Sequence, residues 1–180
     1  MSHEAFIFCP RCATPLADIE LPDDGGVRVR RACPNTLPTP CGFVQWRNPV
    51  PAVAAIVEHN GEIILARNAV WPAGTFALIT GYLERNEEPT DGVKREVKEE
   101  LNLDVQQITL VANYVYDRKN EVMLCYHVVA TGEIKLSPEL IEYKRVKPEK
   151  LRPWPRSTGF ALADWMRSKG LEVKFLELPV

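Results

Sequence analysis

Residues 81–103 read GYLERNEEPTDGVKREVKEELNL, and this segment predicts a helix with recognisable ends. Proline is favoured in the first helical turn and asparagine tolerates the left-handed conformation that ends many helices, so the helix should run from about Pro89 to Asn102. At roughly 100° per residue, one narrow apolar stripe forms along this helix and should pack on a sheet. The stripe consists of Val93, Val97 and Leu101.

Three carboxylates lie beside this stripe. Glu96 and Glu100 are four residues apart on one face, and Glu99 lies further round beside Glu96. Like charges at this spacing repel each other, and a hard divalent cation among them would remove the repulsion. Mg²⁺ or Mn²⁺ takes oxygen ligands and is commonly completed by substrate phosphates, which indicates diphosphate chemistry. The alternative interpretation is a solvated helix face with Glu–Lys pairs.

The spacing of the whole segment resembles the signature of the Nudix hydrolases, which is Gly, five residues, Glu, seven residues, then Arg-Glu-aliphatic-x-Glu-Glu-x-Gly-aliphatic. Asn102 stands where the family usually has Gly, and Asn can adopt the same backbone geometry. The resemblance extends over roughly residues 50–178, and it implies an α/β fold of the Nudix type, an α/β/α sandwich around a mixed sheet. The matching residues are Gly81, Glu87, Arg95, Glu96, Val97, Glu99, Glu100 and Leu103.

The resemblance also implies roles for these residues. The catalytic Mg²⁺ or Mn²⁺ would be held by the carbonyl of Gly81 and by the carboxylates of Glu96, Glu99 and Glu100. Arg95 and Glu87 would support them, because an Arg fork can hold two carboxylates in fixed orientation. Bound metal would lower the pKa of a water and orient it for attack on phosphorus.

One carboxylate must take the proton of that water. Glu99 is the first choice, because it lies at the edge of the cluster. Glu142, in PELIEYKR, is the rival, because some members of the family use a carboxylate from that later loop. An exposed loop residue without a catalytic role is an equally good interpretation of Glu142.

Residues 1–48 differ from the rest, since they hold four of the five cysteines and many prolines and glycines. Two cysteine pairs separated by a hairpin are typical of a zinc ribbon, in which thiolates bound to Zn²⁺ supply the folding energy that apolar burial cannot. The turn residues 23–26 and the alternating residues 27–32 (VRVRRA) favour such a hairpin. Four unligated thiols are the alternative. The pairs are Cys9-x2-Cys12 and Cys33-x7-Cys41.

We therefore predict two domains, a structural-zinc ribbon at residues 1–48 and a Nudix domain at residues 49–180. In the second, residues 51–58 and 62–67 should form a hairpin across Asn60-Gly61. Cys125 lies in an apolar run and should be a core residue. Further strands are predicted at residues 75–80, 103–117 and 120–134, and a second helix over Ser157–Lys169 with Phe160, Leu162, Ala163, Trp165 and Met166 on its apolar face.

The sequence also bears on the identity of the substrate. The cysteine-rich start is most similar to the NADH pyrophosphatase branch of the family, but that branch carries a Ser-Gln-Pro-Trp-Pro-Phe-Pro motif shortly after the Nudix signature. Here the matching residues 113–119 read NYVYDRK, so the nicotinamide specificity is not carried over. Aromatic residues that could stack on a base, with core packing as the alternative role for each, are Trp71, Phe76, Tyr114 and Tyr116.

Charge is nearly balanced, with 22 Lys plus Arg against 24 Asp plus Glu, which does not favour binding to nucleic acid. The six basic residues between Lys144 and Arg156 could form a funnel for a polyanion or a solvated surface. No apolar window is long enough for a membrane span and no export signal is visible, so we expect a cytoplasmic protein with no membrane partner.

The leading hypothesis is a hydrolase that cleaves the diphosphate bond of a nucleotide-derived small molecule, such as ADP-ribose, a nucleotide sugar or a dinucleotide, and releases a nucleoside monophosphate. The alternatives are a non-catalytic nucleotide sensor and a hydrolase acting on capped RNA ends. Homodimerisation is an expectation from the resemblance alone.

Overall fold

The computed structural model of the chain describes residues 6–36 and 39–177. It divides the chain into two compact units, Met1–Pro49 and Val50–Val180.

The described part of the first unit contains a three-stranded antiparallel sheet. Its strands are β1 (Ala17–Asp23), β2 (Gly26–Ala32) and β3 (Val44–Gln45), in the order β1-β2-β3. Asp23 pairs with Gly26 where β1 turns into β2. The hairpin predicted between the two cysteine pairs is therefore present.

The second unit is built on a mixed sheet with strand order β7-β8-β4-β5-β9, and β6 also pairs with β4. Strand β8 runs parallel to β4, and the other pairs are antiparallel. The strands are β4 (Val50–His59), β5 (Glu62–Asn68), β6 (Ile79–Tyr82), β7 (Asp104–Tyr116), β8 (Glu121–Thr131) and β9 (Leu140–Val146). The helices are α1 (Pro89–Leu101) and α2 (Thr158–Ser168), and neither is long and apolar enough to cross a membrane. Single 3-10 turns lie at Asp117–Lys119 and Pro148–Lys150.

Strand β4 lies inside the sheet, and both of its faces are buried. Val53, Ala55 and Val57 pack on the face that α1 covers. Ile56 packs on the opposite face with Leu162 of α2. A strand buried on both faces reads as a continuous apolar run, which explains the sequence VPAVAAIV. The predicted fold, an α/β/α sandwich around a mixed sheet, is confirmed.

Helix α1 has the boundaries that the sequence predicted. Pro89 is its first residue, and Asn102 ends it in the left-handed conformation with φ 60°. Val93, Val97 and Leu101 are fully buried in the core cluster between α1 and the sheet. This packing fixes the rotation of the helix, so the neighbouring carboxylates are directed to one side of it.

Three predictions need correction. The strand expected at residues 75–80 begins only at Ile79, and Ala77 makes an isolated bridge to Ala66. Phe160 is exposed on α2 rather than part of its buried face, and it contacts Phe175. Residues 140–146 form strand β9, which sequence patterning missed because most of its side chains are exposed.

Candidate functional site

The carboxylate cluster forms where α1 passes strand β6. Gly81, in β6, pairs with Val53 and lies against the side chain of Glu96. A Cβ atom at Gly81 would come within 1.9 Å of the Glu96 carboxyl group. Any other residue at this position would therefore displace Glu96, which is a physical reason for glycine here.

Arg95 connects several groups around the cluster. Its Nε and Nη2 donate to the two carboxylate oxygens of Glu87 at 2.7 and 3.0 Å. Its Nη1 donates to Glu96 at 2.6 Å and to Glu99 at 3.1 Å. Nη2 also donates to the carbonyl of Tyr82, the residue after Gly81. One planar guanidinium thus fixes two glutamates of the cluster and the strand beside them.

The carboxylates differ in their electrostatic environment. The Arg95 guanidinium lowers the pKa of the Glu87 carboxyl to about 2, with a further contribution from the Glu84 amide. Burial raises the pKa of Glu100 to about 8, and the charges of Glu96, Glu139 and Glu99 add to this effect. Burial also raises the pKa of Glu96. Without a cation, the cluster therefore resists full ionisation.

A cavity of 480 Å³ opens onto these carboxylates. Five carboxylates and a single amino group, that of Lys119, are among its described lining residues, which makes it strongly acidic. A set of carboxylate oxygens with a nearby backbone carbonyl is the donor set that Mg²⁺ and Mn²⁺ prefer, so these residues fit the predicted metals. The lining carboxylates are Glu96, Glu99, Glu100, Glu121 and Glu139.

The structure separates Glu142 from this cavity. Glu142 lies in strand β9 rather than in a loop, and its carboxylate accepts a hydrogen bond from Arg67 at 3.1 Å. The later carboxylate that lines the cavity is Glu139, just before β9. Sequence reasoning missed Glu139. Several glutamates lie in this segment, and only the start of β9 shows which of them faces the cluster.

A second cavity of 580 Å³ adjoins the first, because five residues line both. At the junction, Tyr82 donates a 2.6 Å hydrogen bond to Glu121, and the Glu121 side chain is only 5% exposed. Neither Glu121 nor Lys119 was singled out from the sequence. The five shared residues are Trp71, Thr80, Lys119, Glu121 and Met123.

Three of the four predicted aromatic residues border these cavities. Trp71 lines both, while Phe76 and Tyr116 line the second. Tyr114 lines neither, and its hydroxyl donates to Asp164 at 2.6 Å. Tyr114 therefore contacts α2 rather than a cavity. The basic residues between Lys144 and Arg156 differ in their contacts. The amino group of Lys144 lies over the Phe76 ring, whereas Arg156 lines the second cavity.

The first unit contains a separate candidate metal centre. The four sulfur atoms of Cys9, Cys12, Cys33 and Cys41 all lie within 4.8 Å of one another. The Cys9–Cys41 and Cys12–Cys33 sulfur distances are 3.6 and 3.4 Å. Tetrahedral zinc with Zn–S bonds of about 2.3 Å separates its sulfurs by roughly 3.8 Å, so these cysteines could hold zinc. The seven-residue spacing before Cys41 does not keep it out of the cluster, although residues 37 and 38 of that segment lie outside the described residues.

Comparison with known proteins bears on the second unit. The model of the NUDIX domain matches residues 47–166. A protein named NAD-capped RNA hydrolase NudC from Pseudomonas putida is 30% identical over 138 residues, which are 75% of this chain and 45% of that protein. A protein of the same name from Stutzerimonas stutzeri is 30% identical over 139 residues, which are 77% of this chain and 46% of that protein. The chain thus spans less than half the length of these curated relatives.

Solved structures agree with the fold. A NUDIX hydrolase from Nitrosomonas europaea superposes with a TM-score of 0.72 at 22% identity, covering 95% of this chain and 99% of that one. An ADP-ribose pyrophosphatase from Streptococcus suis superposes with a TM-score of 0.55 at 22% identity, covering 72% of this chain and 100% of that one.

Proposed function

Because the chain belongs to the NUDIX domain family, we propose that it is a divalent-metal-dependent pyrophosphohydrolase that cleaves the diphosphate bond of a nucleoside diphosphate linked to another moiety. The observation that carries this proposal is the cluster of Glu96, Glu99 and Glu100 on one side of α1, open to an acidic cavity. A catalytic metal cluster needs several oxygen donors directed at one point, and a solvated helix face does not.

The metal ligands in this proposal are the carbonyl of Gly81 and the carboxylates of Glu96, Glu99 and Glu100. When bound there, Mg²⁺ or Mn²⁺ supplies Lewis acidity and lowers the pKa of a water molecule. Arg95 keeps Glu96 and Glu99 in fixed orientation through hydrogen bonds of 2.6 and 3.1 Å. Lys119 lines both cavities, and in this proposal its amino group contacts the substrate phosphates.

The proton of the attacking water passes to a carboxylate. Glu99 remains our first choice, because it lines the cavity and its side chain is 59% exposed, so it is open to solvent exchange. Glu139 replaces Glu142 as the alternative base, because it lines the same cavity from the segment just before β9. Glu142 is engaged with Arg67 and is better used as a control.

The second cavity supports a nucleotide substrate. Its volume of 580 Å³ is in the range of small-molecule sites, and its walls include Trp71, Phe76 and Tyr116, on which a base can stack. A nucleoside on these rings would place its diphosphate toward the carboxylates. The products would be a nucleoside monophosphate and the phosphorylated partner.

A hydrolase acting on capped RNA is a second candidate, because the relatives from Pseudomonas putida and Stutzerimonas stutzeri are named NAD-capped RNA hydrolases. The balanced charge of the chain does not favour a broad contact with the RNA backbone. This candidate therefore requires recognition at the 5′ end alone.

Product analysis by mass spectrometry tests the proposal. The panel contains NAD⁺, NADH, ADP-ribose, nucleotide sugars, dinucleoside polyphosphates and an RNA with a 5′ NAD cap, each with Mg²⁺ or Mn²⁺. We expect a nucleoside monophosphate from at least one compound and a loss of at least roughly 100-fold in Glu100→Gln, because the variant deletes a metal ligand rather than core. Glu142→Gln serves as the matched control.

Two results would contradict the proposal. Wild-type rates in Glu100→Gln would remove the carboxylate cluster from the mechanism. Tight binding of a panel compound without any turnover would instead favour a nucleotide sensor. Monophosphate release from the capped RNA alone would select the second candidate.

A further inference from the structure

The segment leading into α2 borders the second cavity. Arg156, Ser157 and Thr158 all line it. Ser157 is the N-cap residue of α2, and Thr158 is the first residue of this 11-residue helix. The segment is closely packed, because a Cβ atom at Gly159 would lie 1.9 Å from the Trp154 carbonyl oxygen. Its polar groups are therefore held in place.

Two residues of this segment that line the cavity carry hydroxyl groups without a protein partner among the described residues. Ser157 is only 9% exposed and Thr158 only 8%. Ser157 makes no capping hydrogen bond to α2, and within residues 6–36 and 39–177 neither hydroxyl donates a hydrogen bond. Neither hydroxyl oxygen is among the fully enclosed polar atoms that lack a partner, so both are open to the cavity that these residues line. Because both residues border a cavity, a bound acceptor is the natural partner.

The charge at this end of the cavity favours an anion. The N-terminus of a helix carries a partial positive charge, which favours a phosphate. The amides of Gly159 and Phe160 in α2 already donate to the carbonyls of Arg156 and Ser157 at 2.9 Å, so side chains must supply the donors. The guanidinium of Arg156 forms no ion pair within the described residues, so it is available to a ligand. A guanidinium and two hydroxyls provide donors that a phosphate group takes, and the positive end of the helix dipole adds a favourable charge.

This phosphate is distinct from the one that is cleaved. The scissile diphosphate belongs at Glu96, Glu99 and Glu100, which line the first cavity and not the second. Arg156, Ser157 and Thr158 line the second and not the first. The aromatic residues of the second cavity would hold the nucleoside of the same substrate, so its ribose can present a further phosphate to α2.

We propose that Arg156, Ser157 and Thr158 form a second phosphate subsite, which binds a phosphate ester on the 2′ or 3′ oxygen of the substrate ribose. The inference rests on the proposed function and specifies its substrate class. Two sources share this chemistry, a small dinucleotide with a terminal ribose phosphate and the first internucleotide phosphodiester of a capped RNA.

A binding experiment without metal tests the subsite separately from catalysis. In buffer without added Mg²⁺ or Mn²⁺, calorimetry compares AMP with adenosine 2′,5′-bisphosphate and adenosine 3′,5′-bisphosphate. Since a phosphate held by an Arg fork and hydroxyls adds charge-assisted hydrogen bonds, at least one bisphosphate should bind about 10-fold or more tightly than AMP. In Arg156→Gln and in Thr158→Val, this ratio should fall below about 3-fold, because each variant removes donors from the extra phosphate.

The matched control is Arg152→Gln, which removes an exposed arginine that lines neither cavity and should keep the wild-type ratio. Thermal melting of each variant checks the fold. Equal binding of AMP and both bisphosphates to the wild type would overturn the inference. So would an unchanged ratio in both variants, which would mean that the segment binds the 5′ phosphate or nothing.

Turnover with Mg²⁺ distinguishes the two sources. Faster cleavage of NADP⁺ than of NAD⁺, lost in Arg156→Gln, identifies the small dinucleotide. Faster cleavage of NAD-capped RNA than of NAD⁺, lost in the same variant, identifies the RNA end. If the wild type hydrolyses NAD⁺ but shows neither preference, the proposed function stands and the subsite is refuted. If nothing is hydrolysed while the bisphosphate ratio holds, the proposed function fails and the subsite stands.

Discussion

Arg95 shows how a single residue organises the candidate site. It makes a two-point contact with Glu87, contacts Glu96 and Glu99, and reaches the Tyr82 carbonyl. A residue that orients ligands without touching the substrate acts as a positioning residue, and the loss of such partners typically lowers metal affinity or activity. Lysine keeps the charge but offers a point donor in place of a planar fork.

We therefore predict that Arg95→Lys lowers turnover by roughly 10- to 100-fold, the range typical of lost ligand-orienting partners, while the chain stays folded. Steady-state kinetics over a range of Mn²⁺ concentrations measures this change, and the Mn²⁺ concentration giving half-maximal rate should rise. Arg85→Lys is the matched control, because Arg85 is exposed. Wild-type kinetics in Arg95→Lys at every Mn²⁺ concentration would show that orientation by the fork is unimportant.

At the scale of the elements, the sequence predicted those parts that depend on short-range patterns. Helix α1 was predicted with its ends because Pro89 and Asn102 mark them and because Val93, Val97 and Leu101 repeat at helical spacing. The β4–β5 hairpin followed from Asn60-Gly61, and the structure pairs His59 with Glu62 across it. The family resemblance added the sandwich architecture, which no local pattern contains.

Elements that depend on distant partners were predicted less well. Strand β9 is exposed along most of its length and is defined by pairing with β5, 75 residues earlier in the case of Arg67 and Glu142. Without that pairing, Glu142 was expected in a loop beside the cluster. For the same reason, the contribution of Glu139 to the cavity and the Tyr82–Glu121 contact were not visible in the sequence.

At the scale of the whole molecule, the two units differ in what stabilises them. Among its described residues, the second unit has three core clusters of buried apolar residues. The first has a small three-stranded sheet and exposed apolar residues such as Ile7, Val27 and Val29. Structural zinc contributes folding free energy directly, and we propose that the cysteine cluster uses it to stabilise the first unit.

Zinc removal should therefore act on the first unit. We predict zinc bound to the wild type in elemental analysis, and its loss in Cys9→Ser, together with faster proteolysis within residues 1–49. Cys125→Ser should keep the zinc, because Cys125 is buried in a core cluster of the second unit. A well-folded wild type without zinc would refute this assignment.

The central claim is that the carboxylates beside the α1 stripe hold a divalent metal, and a titration with Mn²⁺ followed by electron paramagnetic resonance tests it most directly. We predict saturable binding to the wild type and to Glu142→Gln, and an affinity at least about 10-fold lower in Glu100→Gln, because that variant removes one charged oxygen ligand. Equal Mn²⁺ affinity in the wild type and in Glu100→Gln would contradict the account.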